Sequence, residues 1–368
     1  MLFDPRSKEN LNELFDREEE IEKLSHAVRT PLTLLLGMRR IGKTSLLKSF
    51  LNSLTTPHIY IDLRRLEESG YSRASLYKLL SEAVSKITSS WGEKILGHFR
   101  GVRGVDISGF SVEFDWGEKD LTMVDILSRL NDFSLKSVKD GYVIIAFDEA
   151  QLLRSMSGGK GRLDFRNLLA YCYDNFPALR FILTGSEVGL LLGFLDLHEP
   201  SSPLYGRSAT VITVDRFSKE KSLEFLRRGF AEANMRVKDE DMQAVVEKVD
   251  GIVGWLAFYG YACVAAGGAS DTIVKEVTEK ALRLVSKELE ELFRRSSYYR
   301  HVLRAVSLGV RNWGGIKKAV EAWSGRRLAN PEISRILKSL VALNIVVKTD
   351  SEYDIADPLI RDYCRVKL

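Results

Sequence analysis

The segment GMRRIGKT, residues 37–44, leaves this chain few ways to fold. It matches the spacing GxxxxGK[ST] at every fixed position, follows the short apolar run Thr33–Leu36 and precedes a helical pattern at residues 45–54. Glycines at the fixed positions let backbone N–H groups turn inward around a polyphosphate, and the N-terminus of the following helix adds its dipole. The segment therefore predicts a phosphate-binding loop between a strand and a helix.

Strand and helix patterns alternate over the first two hundred residues. Apolar and β-branched runs predict strands at residues 58–63, 142–147, 180–184 and 210–214. Helical spacing predicts helices at residues 11–29, 75–87, 121–138 and 162–175. Residues 104–114 alternate around Ser-Gly, which is typical of a hairpin. This alternation predicts a parallel α/β sheet, in which the uninterrupted apolar run 142–147 is covered on both faces.

Two acidic residues, Asp148 and Glu149, follow that apolar run. Ligands bind at the carboxyl ends of parallel strands, so both side chains are expected beside the phosphate loop. Asp148 and the Thr44 hydroxyl would hold Mg²⁺ there, and Lys43 would reach the β- and γ-phosphates. Glu149 would polarise the attacking water as general base. The nucleotide-binding residues expected in the loop are Gly37, Arg39, Arg40, Ile41, Gly42, Lys43, Thr44 and Ser45.

Three other polar residues each fit two interpretations. Thr184 and Ser186, at the tip of the strand predicted at 180–184, either sense the γ-phosphate and position the water or cap the following helix. Arg207 either stabilises the charge of the transition state, within its own chain or toward a neighbouring one, or is a structural arginine. No guanine-reading NKxD sequence occurs, so the expected nucleotide is ATP or ADP.

The pattern changes after Phe217. Only helical patterns follow up to residue 295, and then three helices precede the strand–turn–strand sequence NIVVKTDSEYDI. Three helices and a hairpin are typical of a winged helix-turn-helix. The sequence thus predicts a P-loop ATPase core over residues 1–215, a helical lid domain over 216–296 and a winged-helix domain over 297–368.

The formal charge of +4 is unevenly distributed. The last 72 residues carry 13 Lys and Arg against 7 Asp and Glu, a net of +6, whereas the preceding 296 carry 41 against 43, a net of −2. A basic winged helix suggests duplex DNA as partner, with residues 331–343 as recognition helix. Its exposed positions would include Ser334, Arg335 and Lys338, while Lys317, Lys318, Arg326 and Arg327 would meet phosphates. Glu332 at the helix start speaks against base contacts, which leaves protein contact or covering of the core as the alternative.

Other classes of protein are disfavoured. Three scattered cysteines, Cys172, Cys263 and Cys364, form no CxxC or disulfide pattern, and the five histidines show no metal-ligand spacing. Residues 251–270 carry no charge, but five glycines and flanking aspartates favour a buried helix–turn segment over a membrane span. The N-terminus lacks the apolar stretch of a signal peptide, so a cytoplasmic location is expected.

Several motifs in order resemble the archaeal ATPase family, within the STAND/AAA+-related branch of P-loop ATPases. They are FDREEEIEKL (15–24), GMRRIGKTSLL (37–47), IYIDLR (59–64), FDEAQ (147–151), LTGSEVGLL (183–191), SPLYGR (202–207) and DGIVGWL (250–256). The resemblance implies an ASCE/AAA+-like core, a helical lid and a winged helix, and it places Phe15, Asp16 and Arg17 near adenine. The lid motif Gly-x-Pro becomes Gly251-Ile252-Val253, with valine where the family has proline.

Two functions fit these residues. One is an ATP-hydrolysing switch whose nucleotide state controls DNA or a protein partner; the other is an ATP- or ADP-binding regulator or scaffold with negligible turnover. Glu149 favours the first, because a protein that only binds nucleotide needs no base beside the magnesium carboxylate. The sequence leaves the partner and the oligomeric state open.

Overall fold

The computed structural model describes residues 1–115, 121–139, 141–157 and 163–368. Within these ranges the strands are β1 (Leu32–Leu36), β2 (His58–Asp62), β3 (Val105–Ser108), β4 (Ser111–Phe114), β5 (Val143–Asp148), β6 (Leu179–Gly185), β7 (Thr210–Thr213), β8 (Val346–Thr349) and β9 (Glu352–Ile355). The α-helices are α1 (Glu18–Ala27), α2 (Lys43–Ser53), α3 (Arg65–Ser69), α4 (Arg73–Phe99), α5 (Met123–Ser137), α6 (Phe165–Asn175), α7 (Val188–Leu195), α8 (Lys219–Glu232), α9 (Asp239–Val249), α10 (Val253–Ala266), α11 (Asp271–Arg295), α12 (Ser297–Ser307), α13 (Trp313–Ser324), α14 (Asn330–Ala342) and α15 (Pro358–Lys367).

Five strands form a parallel sheet in the order β2-β5-β6-β1-β7. Strand β6 lies between β1, which leads into the phosphate loop, and β5, which ends at Asp148. Its register pairs Gly185 with Leu36 on one side and Leu183 with Phe147 on the other, so three carboxyl ends meet at one edge. The predicted parallel α/β sheet is confirmed, and the loop and the carboxylates lie side by side.

The central strands are buried because they carry apolar side chains on both faces. Every residue of β1 and β5 is buried. Leu34 and Ile145 belong to a core shared with α4, α5 and α6, whereas Leu35 and Ile144 pack with α1 and α2 on the opposite face. Burying each such side chain contributes about 1.5–3 kcal/mol, which fixes the sheet that positions the loop.

The N-terminal helix is shorter than predicted. A helix over residues 11–29 was expected, but only a 3₁₀ turn at Leu11–Glu13 and then α1 from Glu18 are present. Asp16 has a left-handed φ of 53°, and Phe15 is buried in edge-to-face contact with Phe217 and Phe225. This aromatic contact pulls the chain out of helical geometry although the apolar spacing continues.

Most other predicted elements agree with the structure. The hairpin predicted at 104–114 is β3–β4, paired antiparallel. The helix predicted at 162–175 begins at Phe165, and residue 162 lies outside the described residues. Helix α4 extends well beyond the predicted 75–87, and Gly92 interrupts its helical geometry with a φ of 48°.

Only helices lie between β7 and residue 296, and α12, α13, α14 and the antiparallel pair β8–β9 follow in the predicted order. Helix α15 was not predicted. The uncharged segment 251–270 contains α10, with Trp255 and Tyr259 buried. Among the described residues, no helix is long and apolar enough to cross a membrane.

Candidate active site at the sheet edge

The phosphate loop connects β1 to α2 and depends on its two glycines. A Cβ at Gly37 would lie 2.7 Å from the carbonyl oxygen of Val214, which is too close for any larger residue. Gly42 has a φ of 93°, in the left-handed region that L side chains rarely adopt. Because α2 begins directly afterwards at Lys43, its free N–H groups open into the loop.

Lys43 lies buried in the middle of this loop. Its Nζ donates to the carbonyl oxygens of Gly37, at 2.8 Å, and Met38, at 2.9 Å. Burial lowers the pKa of the Lys43 ammonium, and the carboxylates of Glu149 and Asp148 offset part of that effect. A cation is therefore held where phosphate oxygens are expected.

Asp148 is fully buried at the tip of β5 and receives three hydroxyl groups. Its Oδ2 accepts from Thr44 Oγ1 and Tyr60 Oη, each at 2.8 Å. Its Oδ1 accepts from Thr184 Oγ1. The structure thus brings Thr44 of the loop and Asp148 together, as expected for two ligands of one metal ion.

Glu149 faces the same loop from a strained backbone position, with a φ of 57°. Its Oε2 accepts from Ser186 Oγ and Gln151 Nε2, each at 2.6 Å, and from Ser186 N at 3.2 Å. Burial alone would raise the pKa of the Glu149 carboxyl, but Lys43 and these hydrogen bonds outweigh it and lower the pKa. Glu149 is therefore held ionised, in the state required of a proton acceptor.

The hydroxyls of Thr184 and Ser186 serve these carboxylates rather than a helix end. The N-cap of α7 is Glu187, which makes no side-chain cap hydrogen bond. Thr184 Oγ1 also accepts from Glu149 N at 3.0 Å. The helix-cap interpretation of Thr184 and Ser186 is thus wrong, because both side chains point to Asp148 and Glu149.

Two arginines extend from the loop to the helices that follow the sheet. Arg39 pairs with Glu187, at 3.1 Å, and with Glu288 of α11. Arg40 pairs with the second oxygen of Glu288 at 2.8 Å and lies over the Trp255 ring, 4.3 Å from its centroid. The loop is therefore bound to α10 and α11 by side chains of both arginines.

The start of α10 closes against the loop through small residues. Gly251 has a φ of 73°, and a Cβ there would lie 2.1 Å from Phe217 O. Gly254 N donates to Arg40 O at 2.8 Å, and Val253 lies 3.4 Å from the Cβ position of Gly42. The helix begins at Val253 although the expected proline is absent.

A cleft of about 940 Å³ opens above the loop and extends to an aromatic end. The predicted residues that line it include Phe15, Arg17, Ile41 and Ser45. Arg17 is buried, and its Nη2 donates to Asp215 O at 2.9 Å and to Ile41 O at 3.3 Å. Arg17 thus contacts the phosphate loop and Phe15 lines the same cleft, whereas their place beside adenine stays a prediction.

Arg207 is not brought to this cleft. Its guanidinium binds Asp174 of α6, with Nε 3.0 Å from Oδ1, and also donates to Pro203 O. It does not line the cleft in the described chain. A role for Arg207 within its own site is therefore unsupported, whereas a role toward a neighbouring chain stays a prediction.

Some residues of the site were not predicted. The segment Leu2–Lys8, which we call the N-terminal strap, lines the cleft, and Lys8 N donates to Ser45 Oγ at 3.1 Å. Glu288 and Glu187 bind the loop arginines from distant parts of the sequence. Tyr60 could have been recognised, because its hydroxyl lies on a strand predicted to share the sheet with Asp148.

The residues present fit a magnesium nucleotide. The loop offers backbone donors at the start of α2 and the buried ammonium of Lys43. The hydroxyl of Thr44 and the carboxylate of Asp148 are oxygen donors, the type that Mg²⁺ prefers. This sheet order, with the loop on one strand and paired carboxylates two strands away, defines the class of P-loop nucleotide-binding proteins.

Comparison with known proteins identifies the family within this class. The family model described as an ATPase domain predominantly from Archaea matches residues 14–258. The chain belongs to this archaeal ATPase family. A comparison with curated proteins gives no match.

Solved structures agree with the assignment. The Walker-type ATPase of Pyrococcus abyssi is 38% identical, with a TM-score of 0.86 and 100% of both chains covered. The ORC2 protein of Aeropyrum pernix, solved in ADPNP–ADP complexes, is 17% identical, with a TM-score of 0.51, 100% of this chain covered and 97% of that one. The second likeness concerns the fold alone.

Proposed function

We propose that this chain hydrolyses ATP to ADP and phosphate with Mg²⁺ and works as a nucleotide-dependent switch. The observation that carries the proposal is Glu149: an ionised carboxylate, fixed by Ser186 and Gln151, beside Lys43 of the phosphate loop. A site built only to hold nucleotide needs no such base. Family membership supports ATP as the nucleotide.

In this proposal each side chain has one task. When bound, Mg²⁺ neutralises phosphate charge, and the Thr44 hydroxyl and the Asp148 carboxylate hold it. Lys43 exchanges its two carbonyl partners for phosphate oxygens, which form stronger hydrogen bonds with a cation. Glu149 orients a water molecule and accepts its proton.

The switch requires parts that respond to the site, and we propose the division 1–215 core, 216–296 lid and 297–368 winged helix. Supporting it, α8–α11 form a helical group after the sheet, and α12–α14 with β8–β9 have the element order of a winged helix. The hydrogen bond from Gly254 N to Arg40 O joins the lid to the phosphate loop directly.

Steady-state phosphate release tests hydrolysis against the alternative, a nucleotide-binding regulator or scaffold with negligible turnover. We expect turnover by the wild type and a loss of about 100-fold or more in Lys43→Ala and in Glu149→Gln. The Glu149→Gln variant keeps its ATP affinity, because the base is not a phosphate ligand. Lys275→Ala, an exposed lysine of α11, serves as control and keeps the wild-type rate. One background rate in all four proteins would rule out hydrolysis and favour the regulator.

Duplex DNA is the second candidate partner, and exposed charges support it. Lys318, Arg326, Arg327, Arg335 and Lys338 are exposed, and none forms an ion pair with a residue in the described part of the chain. Lys317 is less available, because its Nζ donates to Asn330 Oδ1 at 2.7 Å. Ser334 likewise accepts from Trp313 Nε1 at 3.2 Å.

The alternative, in which α14 covers the core, also has support. A Cβ at Gly189 of α7 would lie 2.6 Å from Ala342 Cα, so the C-terminal end of α14 packs closely on the core. Glu332, Arg335 and Lys338 lie nearer the start of α14, away from this contact. DNA binding would therefore use the first two turns of α14.

Fluorescence anisotropy with a labelled duplex at several salt concentrations decides between these roles. Binding through phosphates weakens with salt, with a logarithmic slope of about −0.9 per contact. We expect the double variant Arg326→Ala/Arg327→Ala to reduce both the affinity and this slope, while Lys275→Ala changes neither. Absence of binding at low salt would leave protein contact or core covering as the role of this region.

A further inference from the structure

Arg39 is the phosphate-loop arginine whose guanidinium is held by carboxylates of two other elements. Its side chain is 49% exposed, and its guanidinium contacts Glu187 and Glu288 alone among the described residues. Glu187 precedes α7 and Glu288 lies on α11, so the two carboxylates come from separate elements. Such an ion pair is easily exchanged for a better anion.

The position of Arg39 points toward the terminal phosphate. Arg39 pairs with Glu187, and Glu187 directly follows Ser186, whose hydroxyl holds the proposed general base Glu149. Arg39 lines the same cleft as Lys43, Glu149 and Ser186. Its guanidinium therefore lies among the groups that would surround the γ-phosphate.

Arg40 and Arg207, the other arginines predicted to lie beside the phosphates, are bound to other groups. Arg40 is fixed by the Trp255 ring, by Glu288 and, through its carbonyl, by Gly254 N. Arg207 is bound to Asp174, away from the cleft. Arg39 alone among these three combines a place in the phosphate loop with a side chain that can turn.

Carboxylate and phosphate present matching oxygen pairs to a guanidinium. We propose that Arg39 is a catalytic residue acting within its own chain: it binds the γ-phosphate of ATP after exchanging Glu187 and Glu288 for phosphate oxygens. The inference rests on the proposed ATP hydrolysis. ADP has no γ-phosphate, so with ADP bound Arg39 stays paired with Glu187 and Glu288. The ion pair between Arg39 and Glu288 of α11 is therefore present with ADP and broken with ATP.

In the hydrolysis step the water oxygen bonds to the γ-phosphorus while the bond from phosphorus to the bridging oxygen breaks. The electron pair of that bond stays on ADP, and the water proton passes to Glu149. Arg39 transfers no proton; it offsets the charge that spreads over the equatorial oxygens.

The test compares three variants, Arg39→Ala, Arg39→Lys and Glu288→Gln, with two controls. Arg283→Ala removes an exposed arginine of α11 that does not line the cleft, and Glu290→Gln changes an exposed carboxylate of the same helix as Glu288. For each protein the affinities for ADP and for ATPγS are measured by equilibrium binding, and phosphate release from ATP is measured in steady state.

We expect Arg39→Ala to keep its ADP affinity, to lose about 10-fold or more in ATPγS affinity and to lose about 100-fold in turnover. Arg39→Lys recovers part of both losses, because lysine keeps the positive charge but lacks the paired N–H donors of the guanidinium. We expect Glu288→Gln to bind ATPγS more tightly than the wild type, with ADP affinity unchanged, because Arg39 then keeps only one of its two carboxylate partners. Both controls behave as the wild type.

Three results would overturn the inference. The first is an equal loss of ADP and ATPγS affinity in Arg39→Ala, which would make Arg39 an ordinary loop ligand. The second is an equal loss of ATPγS affinity and turnover in Arg283→Ala. The third is recovery of turnover when Arg39→Ala is mixed with Lys43→Ala, which would place the arginine in a neighbouring chain. If the wild type binds nucleotide without releasing phosphate, the proposed hydrolysis fails. The γ-phosphate contact is then tested by binding alone, through the ratio of the ATPγS and ADP affinities in Arg39→Ala and in the wild type.

Discussion

At the scale of single residues, the two carboxylates that pair with Arg39, Glu187 and Glu288, have pKa values shifted in opposite directions. Burial raises the pKa of Glu187 above its ordinary value of 4.5, and Arg39 offsets only part of this effect. Burial acts on Glu288 as well, but Arg40 and Arg39 outweigh it and lower the pKa of Glu288 below 4.5. Ionised Glu187 therefore costs folding free energy, whereas ionised Glu288 contributes to it.

This difference predicts opposite pH profiles of stability for two similar variants. The contribution of Glu288 is present above pH 4.5 and is lost as pH falls through its lowered pKa, so Glu288→Gln is less stable than the wild type at pH 7 and approaches it in acid. The cost of Glu187 appears as pH rises through its raised pKa, so Glu187→Gln is at least as stable as the wild type at pH 7. Urea unfolding between pH 3 and pH 8 measures both; parallel profiles would contradict the assignment.

The sequence identified the residues whose roles follow from motif spacing. Lys43, Thr44, Asp148 and Glu149 lie together in the structure because the parallel strands β1 and β5, with β6 between them, end at one edge of the sheet. Glu288 could not have been found, because its contact with the loop depends on how α11 packs 248 residues further along the chain. Arg207 shows the reverse error, since a suggestive position in the sequence says nothing about its actual partner.

At the scale of elements, the buried ring of Phe3 anchors the N-terminal strap. Phe3 is fully buried between Gly229 of α8 and Gly260 of α10, where added Cβ atoms would lie 2.3 and 2.4 Å from its ring. Its ring also meets Phe230 edge to face, with centroids 4.9 Å apart. Because Lys8 binds Ser45 of α2, the strap joins the sheet domain to the helices after it.

Phe3→Ala should therefore weaken the whole fold rather than the terminus alone. Removing a fully buried ring costs about 3–5 kcal/mol, and Gly260→Ala, which overfills the same slot, costs about 1–3 kcal/mol. The exposed Leu11→Ala is the control and should change stability by less than about 0.5 kcal/mol. Chemical denaturation gives these values. A Phe3→Ala protein as stable as the control would show that the strap is not anchored there.

Elements were predicted where pattern and tertiary packing agree. The strands of the sheet followed from apolar runs, because both faces are covered. Residues 11–17 kept helical spacing but turned away, since burying Phe15 against Phe217 outweighs helix propensity. Helix α15 was missed because Pro358 looks like a break, although proline is favoured in the first turn of a helix.

At the scale of the whole molecule, the cleft is lined by parts of the chain that lie far apart in sequence, from Leu2 to Arg295. Residues from the strap, the sheet edge, α10 and α11 line it, so a nucleotide bound there contacts groups that unfolding would separate. Free nucleotide at one hundred times its Kd should raise the free energy of unfolding by about 2.7 kcal/mol. Calorimetry should show a higher Tm with nucleotide for the wild type and no shift for Lys43→Ala. An equal shift in both would place the ligand elsewhere.

The contacts of Trp255 have an optical consequence. Its ring lies beneath the Arg40 guanidinium, 1% exposed, and its Nε1 donates to Asp357 Oδ2 at 2.8 Å. The other oxygen of Asp357 caps α15 by accepting from Leu359 N at 2.9 Å. Any movement of the phosphate loop or of the last helix therefore changes the charges around this indole. Once Trp91, Trp116, Trp313 and Trp323 are replaced by phenylalanine, the emission of Trp255 can follow both movements in time, without an added label.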